Sequence, residues 1–174
     1  MKGNVKYMSA GKTAAKSKAV TTFIKKYLAG ELKKTIKTED VPENWDSEPV
    51  KVLVGKNFND VALDKSKHVF VEFYAPWCEH CKSLAPIWDK LGEEFRDDDS
   101  VLIAKMDATA NEVEGVNVEG YPALKMWTKG TNKVVDFNGA RDFETLVQFV
   151  KTAGEMKLLT EKPNEEEKNE KDEL

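Results

Sequence analysis

The chain has little cysteine, no long apolar run and no excess of one charge sign. Two cysteines in 174 residues are too few for a small protein built on a disulfide framework. The longest apolar runs, near residues 69–74 and 101–104, fall far short of the roughly 18 residues that a membrane span needs. A balance of 27 Lys+Arg against 31 Asp+Glu argues against a dedicated nucleic-acid binder, which is expected to be strongly basic. The length predicts one globular domain of roughly 100–150 residues with extra ends.

The ends of the chain differ from its middle in charge and apolar pattern. Residues 1–40 hold ten lysines against three acidic residues, whereas residues 161–174 hold seven acidic residues against three lysines. Apolar residues at helical spacing predict an amphipathic helix over 17–29. We interpret it as a packing helix, with a membrane-surface or calmodulin-type segment as the alternative. The predicted organisation is a basic segment with this helix and a linker over 1–46, a main domain over 47–156, and a disordered acidic tail over 157–174.

Strand and helix patterns alternate through the main domain. Strands are predicted at 50–54, 69–74, 101–106, 123–127 and 133–137. Helices are predicted from a cap at Asn57 to residue 63, at 78–95, at 110–115, and from a cap at Asp142 to a stop at Gly154. This order predicts an α/β fold with a central mixed β-sheet and helices on both of its faces.

Both cysteines lie in one tetrapeptide, Cys78-Glu79-His80-Cys81, between a predicted strand and a predicted helix. A helix N-terminus stabilises a thiolate, and a cationic His80 is expected to lower the pKa of Cys78 further. Four readings are open: a reactive dithiol, a structural zinc site, a structural disulfide, or two unreactive thiols. We favour the reactive dithiol, because zinc lacks a convincing four-ligand set and so short a disulfide loop contributes little stability.

Two charged residues interrupt the apolar strands, Glu72 in the second and Lys105 in the third. Each side chain lies either on a solvated strand face or beneath a covering helix. An unpaired charge beneath a helix would be very costly, whereas an opposite-charge pair is tolerable.

The run from Phe73 to Lys82 resembles the active-site segment of the protein disulfide isomerases, in the thioredoxin superfamily. Leu84-Ala85-Pro86 and Tyr121-Pro122 match the same pattern. The similarity covers roughly 47–156 and is greatest to the last catalytic domain of a multidomain isomerase, while 17–46 resembles the end of the preceding domain and its connection. The resemblance implies a thioredoxin-like fold and leads us to expect that the chain is the C-terminal part of a longer protein.

The resemblance also implies roles for individual residues. Cys78 and Cys81 are expected to be catalytic and to form a Cys78–Cys81 disulfide. Glu72 and Lys105 are expected to pair beneath the cysteines, with the carboxylate relaying a proton to and from Cys81. Arg141 is expected to lower the pKa of Cys81 when its side chain swings inward. The Tyr121–Pro122 peptide bond is expected to be cis and to face the disulfide, and Trp77, Tyr121 and Pro122 are expected to contact the substrate.

Glu79 departs from the resembled pattern, which usually has glycine at this position. A carboxylate next to Cys78 opposes a thiolate there. We therefore hypothesise that Glu79 makes Cys78 less acidic, the disulfide harder to reduce and the domain a weaker oxidant.

The function implied is a thiol–disulfide oxidoreductase and isomerase that forms and rearranges disulfides in unfolded secretory proteins. No metal or organic cofactor is expected. The expected redox partner is glutathione or a luminal thiol oxidase, and neither nucleic acid nor a membrane is expected as a partner. The alternatives are a client-binding module with weak turnover and a thioredoxin-type reductase, which His80 and the retrieval signal disfavour. Lys171-Asp172-Glu173-Leu174 is an endoplasmic-reticulum retrieval signal read by the KDEL receptor. Residues 1–15 lack the apolar core of a signal peptide, so we expect an upstream portion.

Overall fold

The computed structural model describes residues 17–31 and 36–155. The first 16 residues and the predicted tail at 157–174 lie outside these ranges. The elements are α1 (Ser17–Leu28), β1 (Val50–Leu53), α2 (Gly55–Ala62), β2 (His68–Tyr74), α3 (Glu79–Glu94), β3 (Val101–Asp107), β4 (Ala123–Trp127), β5 (Val134–Asp136) and α4 (Phe143–Lys151).

A five-stranded sheet forms the centre of the fold, in the order β1-β3-β2-β4-β5. Strands β1, β3 and β2 run parallel, and β4 and β5 are antiparallel to their neighbours. The predicted mixed sheet is therefore confirmed. Strand β2 is central, and its residues from Val69 to Phe73 are all buried. A continuous apolar run is the pattern of a strand covered on both faces.

Helices cover both faces of the sheet, as predicted. On one face, Phe70 of β2 packs against Trp88 of α3 and Phe149 of α4, with ring centroids 4.8 and 5.1 Å away. On the other face, Phe58 of α2 packs against Trp127 of β4, with ring centroids 5.2 Å apart. Alternate side chains of β2 thus pack into two separate apolar cores, one on each face of the sheet.

Helix α1 agrees with the helix predicted at 17–29 to within a residue. The chain leaves it through Gly30, whose φ of +71° is a left-handed value that favours glycine. Its apolar residues Val20, Ile24 and Leu28 are exposed. Within the described ranges, no helix has the length and apolarity that crossing a membrane requires.

The two predicted caps have different outcomes. Asp142 does cap α4, because its Oδ1 accepts a hydrogen bond from the Thr145 backbone N–H at 2.9 Å. The predicted start of α2 at Asn57 is wrong, since the helix begins at Gly55. Asn57 lies within the first turn, and its Oδ1 accepts from the Val54 N–H at 2.7 Å. The side chain therefore satisfies a backbone donor that precedes the helix.

The helix predicted at 110–115 is absent, and turns and extended chain occupy that stretch. Asp107 Oδ1 accepts from the Thr109 N–H at 2.8 Å and from its hydroxyl at 2.6 Å. An aspartate that bonds to the backbone just after it favours a turn over a helix. Residues 107–111 therefore form a turn at the end of β3.

Residues 37–40, which precede β1, pack against this turn. Asn111, which is 2% exposed, accepts at Oδ1 from the Glu39 N–H at 2.9 Å and the Gly55 N–H at 3.2 Å. Its Nδ2 donates to Glu39 Oε2 at 3.0 Å. Lys37 Nζ donates to the Thr109 carbonyl at 2.7 Å. A segment that the sequence analysis treats as linker is thus hydrogen-bonded to the sheet domain.

Candidate active site

The two cysteines lie in the first turn of α3, just beyond the carboxyl end of β2. Cys78 is the N-cap of α3, and its sulfur accepts a hydrogen bond from the Cys81 N–H at 3.2 Å. Three residues connect β2 to this cap, and the Cys78 N–H donates to the Ala75 carbonyl at 3.0 Å. The tight turn brings both sulfurs to one end of the helix, as two separate thiols in this structure.

The two thiols have unequal surroundings. Burial and the neighbouring Cys78 thiol raise the pKa of Cys81 to about 11, so Cys81 is protonated near neutral pH. Cys78 is the N-cap and therefore lies at the positive end of the helix dipole. The two cysteines therefore differ: Cys78 starts the helix, and Cys81 is a buried thiol that needs help to lose its proton.

Glu72 lies inside the fold on the face of the sheet that α3 covers. It is 3% exposed and lies two residues beyond Phe70 in β2, so it shares that face. Burial raises the pKa of Glu72 to about 7, against the opposing attraction of Lys105. The negative charge of Glu72 in turn contributes to the raised pKa of Cys81, which shows that the two groups are electrostatically coupled.

Lys105 is the cross-strand neighbour of Glu72 in the β2–β3 register. Its ammonium nitrogen lies 3.9 Å from Asp89 Oδ1 of α3. Asp89 also contributes to the raised pKa of Glu72. The observed geometry thus gives Lys105 an ion pair with Asp89, while its charge also acts on Glu72; the direct pairing of Glu72 with Lys105 stays a prediction. Sequence analysis missed Asp89, because no pattern in the sequence shows where α3 crosses β3.

A second wall of the site comes from the loop before β4. The Tyr121–Pro122 peptide bond is cis, as the resemblance implies. Trp77, at 69% exposure, meets Tyr121 edge-on with ring centroids 5.9 Å apart. Tyr121 also packs against the small cluster that contains Cys78 and Cys81. Exposed aromatic surface thus adjoins the thiols.

Arg141 reaches this wall from the loop before α4. Its Nη2 donates to the Pro122 carbonyl at 3.2 Å, and its charge acts to lower the pKa of Glu72. The arginine is thus brought to the site, where its observed partner is the backbone of the cis-proline.

Glu79 and His80, the residues between the cysteines, are exposed. Glu79 Oε1 lies 2.6 Å from Lys82 Nζ, one turn along α3. This ion pair lowers the pKa of Glu79, so its carboxylate is charged at neutral pH. Sequence analysis missed Lys82, although the i,i+3 spacing of Glu and Lys is a signal for such a pair.

Over residues 17–31 and 36–155, the structure has no group of three or more His, Cys, Asp or Glu side chains placed to hold a metal ion.

These features define a class of protein. A dithiol at the start of a helix, beside a cis-proline and above a buried carboxyl group, lies at one end of a mixed sheet. The sequence pattern of the thioredoxin family matches residues 49–152, and the chain belongs to this family.

The relatives are more specific. The chain is 53% identical over 137 residues to protein disulfide-isomerase of Gallus gallus, covering 78% of this chain and 27% of the relative. It is 48% identical over 161 residues to protein disulfide-isomerase of Drosophila melanogaster, covering 91% of this chain and 32% of the relative. The chain therefore spans about a third or less of these curated relatives.

Solved structures give the same picture. The first thioredoxin domain of mouse protein disulfide-isomerase A4 superposes with a TM-score of 0.53 at 33% identity, covering 75% of this chain and 86% of that chain. The similarity to protein disulfide isomerases is thus present in both sequence and fold.

Proposed function

We propose that this chain is a thiol–disulfide oxidoreductase and isomerase that forms and rearranges disulfides in secretory proteins. The observation that carries the proposal is the Cys78–Cys81 dithiol in the first turn of α3. Cys78 is the helix N-cap, whereas burial keeps Cys81 protonated, with a pKa of about 11. No metal or organic cofactor takes part, and glutathione is a redox co-substrate.

Oxidation of a substrate proceeds by two thiolate displacements. A substrate thiolate attacks Cys78 of the Cys78–Cys81 disulfide, forming a mixed disulfide and releasing Cys81 as a thiolate, which takes up a proton. A second substrate thiolate attacks the substrate sulfur of the mixed disulfide and releases Cys78. The substrate loses two electrons and gains a disulfide, while the domain becomes a dithiol. Isomerisation begins instead with attack of reduced Cys78 on a substrate disulfide.

Glu72 supplies and accepts the proton of Cys81 in this scheme. A carboxyl group with a pKa of about 7 exists in both protonation states near neutral pH, as a proton carrier requires. Lys105 stabilises the ionised form and Asp89 the protonated form. In this scheme Arg141, whose charge also favours ionised Glu72, leaves the Pro122 carbonyl and turns toward Cys81, lowering the pKa of Cys81 as it departs in the first displacement.

The substrate backbone lies along the wall formed by Tyr121 and Pro122, with Trp77 contacting its side chains. Pro122 is buried and Trp77 is 69% exposed, so the wall combines a fixed proline with one large exposed apolar face. Such a surface suits unfolded polypeptide without a sequence motif.

We assign this activity to a domain at 47–156 and place the protein in the lumen of the endoplasmic reticulum. The residues Lys171-Asp172-Glu173-Leu174 support that location, because a receptor for this retrieval signal reads them at a free carboxyl terminus. The proposed partners are unfolded cysteine-containing secretory proteins, a luminal thiol oxidase or glutathione, and the KDEL receptor.

Refolding of reduced ribonuclease and, in a separate assay, of scrambled ribonuclease in a glutathione buffer tests the proposal. The chain should restore ribonuclease activity, and Cys78→Ser should abolish that effect while leaving the fold intact by circular dichroism. Cys81→Ser should accumulate a mixed disulfide with the client. Suppression of aggregation by both the chain and Cys78→Ser, without recovery of ribonuclease activity, would instead show a client-binding module.

A further inference from the structure

Two opposite charges flank the reactive end of α3 on its solvent side. Glu79 directly follows Cys78, and Lys82 lies one turn further, with its Nζ 2.6 Å from Glu79 Oε1. The side chains are 81% and 56% exposed, so both can act on an incoming molecule. The Ser83 hydroxyl also donates to the Glu79 carbonyl at 3.0 Å, which fixes the backbone of this turn.

The Glu79–Lys82 pair changes the net charge that an approaching thiol encounters beside Cys78. With a neutral residue at position 79, Lys82 would present an uncompensated positive charge beside Cys78. That charge would attract anionic thiols. The carboxylate of Glu79 cancels the charge at close range, so the attraction is lost.

Two other charged groups of the site, Glu72 and Arg141, do not replace the lost charge. Glu72 is buried, and Arg141 donates to the Pro122 carbonyl on the far wall. Its positive charge acts on Glu72. A change at position 79 therefore alters by one unit the net charge that Glu79, Lys82 and the exposed His80 present on the helix side of the thiols.

We propose that Glu79 is a specificity-determining residue that disfavours anionic thiols of the glutathione class and favours neutral or cationic cysteine-containing peptides. This inference rests on the proposed function, because it concerns which thiol attacks the Cys78–Cys81 disulfide. In that reaction the thiolate sulfur bonds to Cys78, Cys81 departs with the electron pair, and a second thiolate then releases Cys78.

Charge selection differs from a change in the reactivity of Cys78 itself. A carboxylate that only made the disulfide harder to reduce would slow every thiol by the same factor. A carboxylate that selects by charge slows anionic thiols and speeds cationic ones. A series of thiols that differ in charge therefore separates the two effects.

The experiment measures the rate at which each thiol reduces the oxidised full chain, per mole of thiolate, by acid quench and mass spectrometry. Glutathione carries one net negative charge outside its sulfur, 2-mercaptoethanol none, and cysteamine one positive charge. A unit charge about 8–10 Å away in water alters an encounter by about two-fold. Glu79→Gln should thus raise the glutathione-to-cysteamine rate ratio about four-fold at low salt, and Lys82→Gln should lower it.

Salt and a matched variant complete the design. The change in ratio should vanish near 1 M salt, where the screening length falls to about 3 Å. Glu93→Gln is the control, because Glu93 near the end of α3 forms an exposed i,i+3 pair with Arg96 just beyond the helix, about 21 Å of helix rise from Glu79. This control should leave the ratio unchanged.

A pair of short peptides extends the test to the proposed substrates. A peptide whose cysteine is flanked by lysines should reduce the Cys78–Cys81 disulfide of the Glu79→Gln variant more slowly than that of the unchanged chain. A peptide whose cysteine is flanked by glutamates should reduce the disulfide of the variant more quickly. An equal change for all thiols, or no change for any, would overturn the inference and leave the proposed function intact. A disulfide that no thiol reduces would overturn both.

Discussion

Replacement of Glu72 by glutamine should make the folded chain more stable at alkaline pH. The pKa of Glu72 is raised from 4.5 to about 7 by burial, so the folded state resists its ionisation. Below pH 4.5 the carboxyl group is protonated in both the folded and the unfolded state, so its ionisation does not lower the free energy of unfolding. As pH rises from 4.5 to 7 the unfolded chain releases its proton first, and the folded state loses stability. Above pH 7 the full penalty, about 3 kcal/mol, is present.

Glu72→Gln removes this penalty because an amide does not ionise. The variant should match the unchanged chain near pH 4.5 and exceed its free energy of unfolding by up to about 3 kcal/mol at pH 8. Guanidinium unfolding followed by tryptophan fluorescence, with the thiols kept reduced by a phosphine, measures the difference. Glu43→Gln, at an exposed position before β1, is the control and should change the free energy by less than about 0.5 kcal/mol. Equal or lower stability of Glu72→Gln at pH 8 would refute the reasoning.

Two further changes test how the fold is held together. Asn111→Ala removes the buried amide that binds Glu39 and Gly55, and the unpaired backbone groups should lower the free energy of unfolding by about 2–4 kcal/mol. Hydrogen exchange at residues 37–40 should rise in the same variant, and unchanged protection there would contradict the assigned contact. Gly92→Ala should destabilise by about 1–3 kcal/mol although alanine favours helix, because its Cβ would lie 2.5 Å from Val50 Cγ2 and 3.1 Å from the Val50 backbone nitrogen. A gain in melting temperature would show that α3 and β1 are less closely packed than the structure has them.

The strands and long helices were predictable because the apolar pattern of each segment matches the burial that its tertiary contacts produce. The run from Val69 to Phe73 predicts a strand covered on both faces, and β2 is the central strand of the sheet. The Asp142 cap was also predictable, since it depends only on residues within one turn.

The errors occur where long-range contacts decide the local structure. Residues 110–115 have a sequence compatible with helix, yet Asp107 and Asn111 bind the nearby backbone and the segment at 37–40. That segment looks like linker because its partners lie about seventy residues further along the chain. No local pattern indicates such contacts.

The site was predictable to a different degree at each position. The spacing of Cys78 and Cys81 and the interruption of β2 by Glu72 can be recognised in the sequence alone. The contact of Asp89 with Lys105 depends on how α3 crosses the sheet. The bond from Arg141 to the Pro122 carbonyl depends on how two loops meet, so neither contact could be read from the sequence.

The central claim is that Cys78 and Cys81 exchange a disulfide between themselves and with other thiols, with Cys78 as the attacking sulfur. Equilibration of the full chain in glutathione buffers, followed by acid quench, alkylation and peptide mass analysis, tests it most directly. The account predicts an intramolecular Cys78–Cys81 disulfide under oxidising buffer, and glutathione attached to Cys78 in the Cys81→Ser variant. Two thiols that stay reduced in every buffer, or glutathione found on Cys81 when Cys78 is present and reduced, would contradict it.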